Sequence, residues 1–106
     1  MVNFSEEQEQ YLEQKEAFLD KFIDLDDEYQ LFISSYIHGH FSVVAAKLST
    51  AISAGEITPL TDTESFKQYF EGLLNKDIEK AIANQELSAV DAASVTSMLI
   101  AMFSSE

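Results

Sequence analysis

Apolar residues recur along this chain with a period near 3.6 in four stretches, separated by short polar segments that carry helix-start signals. The first stretch opens with Ser5 and Gln8 in the spacing of a capping box, preceded by Phe4 as a candidate staple for the first turn. Tyr11, Leu12, Phe18, Leu19, Phe22 and Ile23 follow on one stripe, which predicts a helix over roughly 5–24. Asp27 with Gln30 repeats the start signal. The helix it opens carries Tyr29, Phe32, Ile33, Tyr36, Ile37, Val44 and Leu48 on a broad face until Gly55 stops it, a length of about 40 Å at the standard rise. A third helix starts between Thr58 and Thr63, where Thr58–Pro59 and Thr61 with Glu64 both offer caps, and bears Phe66, Tyr69, Phe70, Leu73, Leu74, Ile78 and Ala81. The fourth begins at Ser88, with Asp91 three residues on, and aligns Ala92, Val95, Met98, Leu99, Met102 and Phe103. Short connections make neighbouring helices antiparallel, so the pattern predicts an all-α fold, an antiparallel up-and-down four-helix bundle. It forms a single domain over 1–106, with 1–4 and 105–106 frayed.

The ends of the second and third helices echo each other at an offset of thirty residues. Ala51-Ile52 followed by Glu56-Ile57-Thr58 matches Ala81-Ile82 followed by Glu86-Leu87-Ser88. A duplicated unit is one account. The preferred one is that two helix ends meet the same local requirement in the same way, since two copies are too few for a repeat architecture.

Charge changes the picture from fold to surface. The chain has a net charge of -13, yet Tyr29 to Ala46 contains no Lys, Arg, Asp or Glu, so that segment is expected to be covered on most sides. All six basic residues are Lys, which leaves no planar fork and no basic patch for phosphate. Nucleic-acid and anionic-membrane binding are therefore disfavoured, and no segment is apolar enough to span a bilayer. The absence of cysteine excludes disulfides and thiolate chemistry, and with no secretory signal at the start a cytoplasmic location is expected. Glu9, Glu13, Glu16, Asp20 and Asp24 form an acidic ridge on the first helix, placed opposite its apolar stripe, and residues 1–28 hold ten acids against Lys15 and Lys21, a net of -8. A solvated face is the plain reading of this ridge; a docking site for a basic protein, or a mimic of a nucleic-acid strand, is the discrete one.

A segment of helix two, Leu31-Phe32-Ile33-Ser34-Ser35-Tyr36-Ile37-His38-Gly39-His40-Phe41, with Ala81-Ile82, Glu86-Leu87-Ser88, Asp91, Val95 and Met98, resembles the YfcL family. The resemblance covers roughly 25–103 and leaves the acidic first helix mostly outside. It implies a helical fold and assigns no activity and no functional residue.

His38 and His40 lie two residues apart and point about 200° apart on a helix, so they cannot share a metal. His40, between Tyr36 and Val44, is expected as a core histidine satisfied by one hydrogen bond, and His38 as exposed. Asp24, Asp26 and Glu28 alternate like the start of a calcium loop, but Tyr29 and Ser35 stand where glycine and a bidentate glutamate are required. Ser35, Gly39, Ser42, Ala46, Ser49 and Ser53 align at spacings of 4, 3, 4, 3, 4, a ridge that lets another helix approach closely. Helix one or four of the same chain is the expected neighbour, a second subunit the alternative. The uncharged sides of helices two and four together are the expected place for self-association as a homodimer.

No nucleophile elbow, phosphate loop or redox pair is present. The sequence points to a non-enzymatic acidic interaction module without cofactor or metal, self-associating or binding a protein partner, whose candidate residues are Tyr36, His38, Gly39, His40, Ser42 and Ala46. The alternative is a small-molecule binder with a pocket near Tyr36 and His40.

Overall fold

The computed structural model of the chain describes residues 4–56 and 62–104. Within them four helices form a compact bundle: α1 over Glu6–Asp20, continued by a 3₁₀ turn over Lys21–Ile23, α2 over Glu28–Ser53, α3 over Thr63–Ala83 and α4 over Ala89–Ser104. The longest dimension, 39 Å, is the length of the 26-residue α2, which contacts all three other helices.

Each start is fixed by a side chain that takes up an otherwise unpaired first-turn N–H. Ser5 Oγ accepts from the Gln8 N–H at 3.2 Å while Gln8 Oε1 accepts from the Ser5 N–H at 3.0 Å, completing the capping box. Asp27 caps α2 through the Gln30 N–H, and Ser88 caps α4 through the Asp91 N–H. Thr58, Pro59 and Thr61 lie outside the described residues; α3 is capped by Asp62, which accepts from both the N–H and the hydroxyl of Ser65. Those bonds hold the Asp62 carboxyl below the usual aspartate range.

The thirty-residue echo is a shared helix stop. In α2 the Glu56 N–H reaches the Ala51 carbonyl and the Gly55 N–H that of Ile52; in α3 Glu86 reaches Ala81 and Gln85 reaches Ile82. Both are Schellman motifs, and both need a left-handed residue after the cap: Gly55 at φ 73° and Gln85 at φ 61°. Glycine takes that conformation freely, whereas Gln85 takes it against its own Cβ.

The core is built from Leu12 and Leu19 of α1, Ile33, Ile37, Phe41, Val44 and Leu48 of α2, Phe66, Phe70, Leu74 and Ile78 of α3, and Val95, Leu99 and Met102 of α4. An aromatic stack runs through it, with Phe70 meeting Phe41 at 5.0 Å, Phe66 at 6.3 Å and Tyr11 at 6.4 Å between centroids. Phe4 is neither frayed nor a local staple. It is buried, with its ring 5.3 Å from Phe66, and so ties the start of α1 to α3. Tyr29 and Phe32, expected on the inner face of α2, are 41% and 46% exposed, because the buried arc runs from Ile33 through Ala45 and excludes them. Tyr69 of α3 is likewise exposed.

Among the described residues one charged side chain lies inside. Lys15 is 3% exposed, and its ammonium donates to the Met102 carbonyl at 2.9 Å, with the Tyr11 ring 5.6 Å away. Met102 O lies in the last turn of α4, where a cation suits the negative end of the helix dipole. Burial first, then the Glu71 and Glu64 carboxylates, raise the neighbouring Tyr11 phenol to about 12.

Candidate interaction surface

Helix α2 positions all six residues singled out from the sequence, and its pitch separates them into three groups. Gly39, Ser42 and Ala46 face solvent, as does Ser35, with Phe32 and the 48% exposed Val43 beside them. The small-residue ridge is thus not covered by helix one or helix four of the same chain. The physical reason is that α2 buries the arc of Ile33, Ile37, Phe41, Val44 and Leu48 against the other helices, and the ridge lies on the far side of that arc. An open seam, not a buried joint, is what the spacing encodes.

The second group meets α1. His38 Nε2 lies 3.7 Å from Glu16 Oε2, with both side chains about two-fifths exposed (40% and 44%). Further along the seam Glu9, Glu13 and Glu16 line a groove with Phe4, Leu12 and Ala45, about 160 Å³ in volume. The acidic ridge therefore flanks the apolar stripe of α1 instead of opposing it, and borders the exposed ridge of α2. One bank is carboxylate, the other small and uncharged.

The third group meets α3. The His40 Nδ1 N–H donates to Asp77 Oδ2 at 2.6 Å, a charge-assisted bond that fixes which ring nitrogen carries the proton, since a carboxylate only accepts. His40 is satisfied by one hydrogen bond as expected, but it sits at the α2–α3 boundary, 23% exposed, and not in the core. The Tyr36 ring lies 4.7 Å from the imidazole, and its Oη is buried with no hydrogen-bond partner among the described residues. Burial, then the Glu86 and Asp77 carboxylates, push that phenol above its ordinary value. Asp77 was not identifiable from the sequence: it lies 37 residues from His40 and shares no motif with it.

The outer faces of α2 and α4 do not form one side. Helix α4 packs α1 along Met98 and Ala101 and α3 along Leu99 and Phe103, with α2 between these two flanks, so its exposed residues point away from α2. Among the described residues no group of three or more metal-ligating side chains converges, and no helix is long and apolar enough to cross a membrane.

A four-helix bundle presenting this surface matches one family model, that of the YfcL protein, over residues 9–104. The chain belongs to the YfcL family. The match begins at Glu9 and so takes in nearly all of α1, further than the resemblance in α2 to α4 suggested. Searches among curated proteins and among solved structures returned no match.

Proposed function

We propose that the protein is a non-enzymatic interaction module that docks a basic, amphipathic helix of a protein partner along the α1–α2 seam. The observation that supports this is the juxtaposition of two complementary banks. Exposed Ser35, Gly39, Ser42 and Ala46 allow a helix axis to come close, and Glu9, Glu13 and Glu16 stand beside them to meet Lys or Arg side chains. Exposed carboxylate pairs contribute about 0.2–1 kcal/mol each, so the acidic bank selects and orients, while close packing on the ridge supplies the specificity.

The test is titration with a helical peptide bearing Lys on one flank and Ala and Ser on the next. Replacing Glu9, Glu13 and Glu16 together by Gln, or Ser42 by Lys, weakens binding about ten-fold if the seam is the site. Replacing Asp24, Asp26 and Glu28 by neutral residues removes as much charge away from the seam and leaves affinity within about two-fold; an equal loss there reduces the effect to general attraction and contradicts the reading.

A second reading draws on the orphan Tyr36 Oη beside the His40–Asp77 pair, which suits a small ligand that offers an acceptor. Mass spectrometry of the natively purified protein tests it: a stoichiometric metabolite, released on replacing Tyr36 by Phe, supports it.

A further inference from the structure

The face of α4 opposite the core carries no charge. Val90, Ala93, Ser97, Ile100, Ala101 and Ser104 are all exposed, and Val90 and Ile100 are 71% and 64% accessible, among the most exposed large apolar side chains of the bundle. Positions 90, 97 and 104 repeat every seven residues, as do 93 and 100, which is the seam of a helix that pairs with another helix.

From this we infer that α4 is a self-pairing helix and that its partner is α4 of a second copy of this chain, running antiparallel. Two features of the molecule point to that occupant. The first is electrostatic: two chains of net charge -13 repel over most of their surfaces, and α4 has no acid between Asp91 and Glu106. A groove of about 370 Å³ continues this face toward Phe18 of α1 and Phe22 of the 3₁₀ turn, and its lining also carries no charged residue. On the other flank the groove toward α3 is bordered by Glu71 and Glu79, so two copies approach from the α1 side. The second feature is shape. In an antiparallel pair centred on Ser97, Val90 of one copy falls opposite Ser104 of the other and Ala93 opposite Ala101. The bulky Val90 thus meets a small residue, which suits a two-fold, self-complementary contact. The face is 16 residues, about 24 Å, long. That length buries less than the roughly 800 Å² per partner of a standard interface, so the pair is a transient one.

The chain has no cysteine, so a single introduced thiol reports on proximity without background. In an antiparallel pair Ser97 meets its own equivalent across the two-fold, within disulfide reach. Mild oxidation of S97C at several hundred micromolar gives a cross-linked dimer at least ten-fold faster than S42C on the outer face of α2. Ile100→Glu, on a side chain that leaves the fold untouched by circular dichroism, shifts the unmodified chain toward monomer in sedimentation equilibrium. Equal cross-linking at both positions, or a wild-type chain that remains monomeric at those concentrations, overturns the inference. Neither result touches the α1–α2 seam, whose own variants leave α4 intact.

Discussion

Helices α1 and α4 are neighbours of nearly equal length, 15 and 16 residues, packed on the same core, yet their outer surfaces have opposite characters. Helix α1 carries Glu6, Glu7, Glu9, Glu13, Glu16 and Asp20; α4 carries Asp91 alone. Folding does not demand this difference, because both helices bury a similar stripe and each would be soluble with an ordinary mixture of charges outside. Under the two proposals made above, the asymmetry reflects what meets the surface: a charged side for a basic partner and an uncharged one for a second copy. The interior is common property. The exteriors are specialised.

The most severe way to break the comparison is to remove what the two helices share. Phe70 is fully buried among Phe41, Phe66 and Tyr11. Phe70→Ala costs about 3–5 kcal/mol, read by urea unfolding, and abolishes both surfaces together.

A sharper cut uses pH. Tyr11 joins α1 to α3, and its phenol is raised to about 12 in the folded chain from 10.0. Folding thus favours the protonated form, so the associated stability is fully present below pH 10 and is lost as pH climbs toward 12. The loss is about 2–3 kcal/mol. Tyr11→Phe has no proton to lose, and its stability falls less over that interval, as alkaline denaturation monitored by circular dichroism will show.

Lys15 of α1 reaches the last turn of α4. Replacing Lys15 by Met keeps the apolar stem and removes the bond to the Met102 carbonyl, at a cost of about 1–2 kcal/mol in thermal unfolding. The same change with no cost would mean that the end of α4 is satisfied without α1.

The smallest effect has the opposite sign. Gln85 holds φ 61° at the end of α3, where its counterpart Gly55 is free of strain. Gln85→Gly stabilises the chain by about 0.5–1 kcal/mol, while Gly55→Ala destabilises by a similar amount. Thermal unfolding of both variants checks the pair.

How much of this was legible depends on whether the information is local. Ser5 with Gln8, Asp27 with Gln30 and Ser88 with Asp91 state their caps in neighbouring residues, and the structure has those bonds. The period of Phe66, Phe70, Leu74 and Ile78 likewise named the buried face of α3. What failed depended on which arc of a nearly charge-free helix turns inward. In α2 both arcs lack charge, so periodicity set the ridge through Ser42 away from the bulky face without telling whether another helix covers it, and it counted the exposed Phe32 on the inner face. The site suffered most, since Asp77 meets His40 and Glu16 meets His38 only through packing between helices. Gln85 was hidden for a different reason: nothing in a glutamine signals a left-handed backbone.

The seam between the acidic bank of α1 and the small ridge of α2 carries the proposed function, and amide-resolved mapping puts it to the test. Isotope-labelled protein titrated with the Lys-bearing helix is predicted to show its largest shifts at Glu9, Glu13 and Glu16 and at Ser35, Gly39, Ser42 and Ala46, with α4 unchanged. Shifts that follow the carboxylates indiscriminately, through Asp24, Asp26 and Glu79 alike, or that settle on α3 and α4, would contradict it.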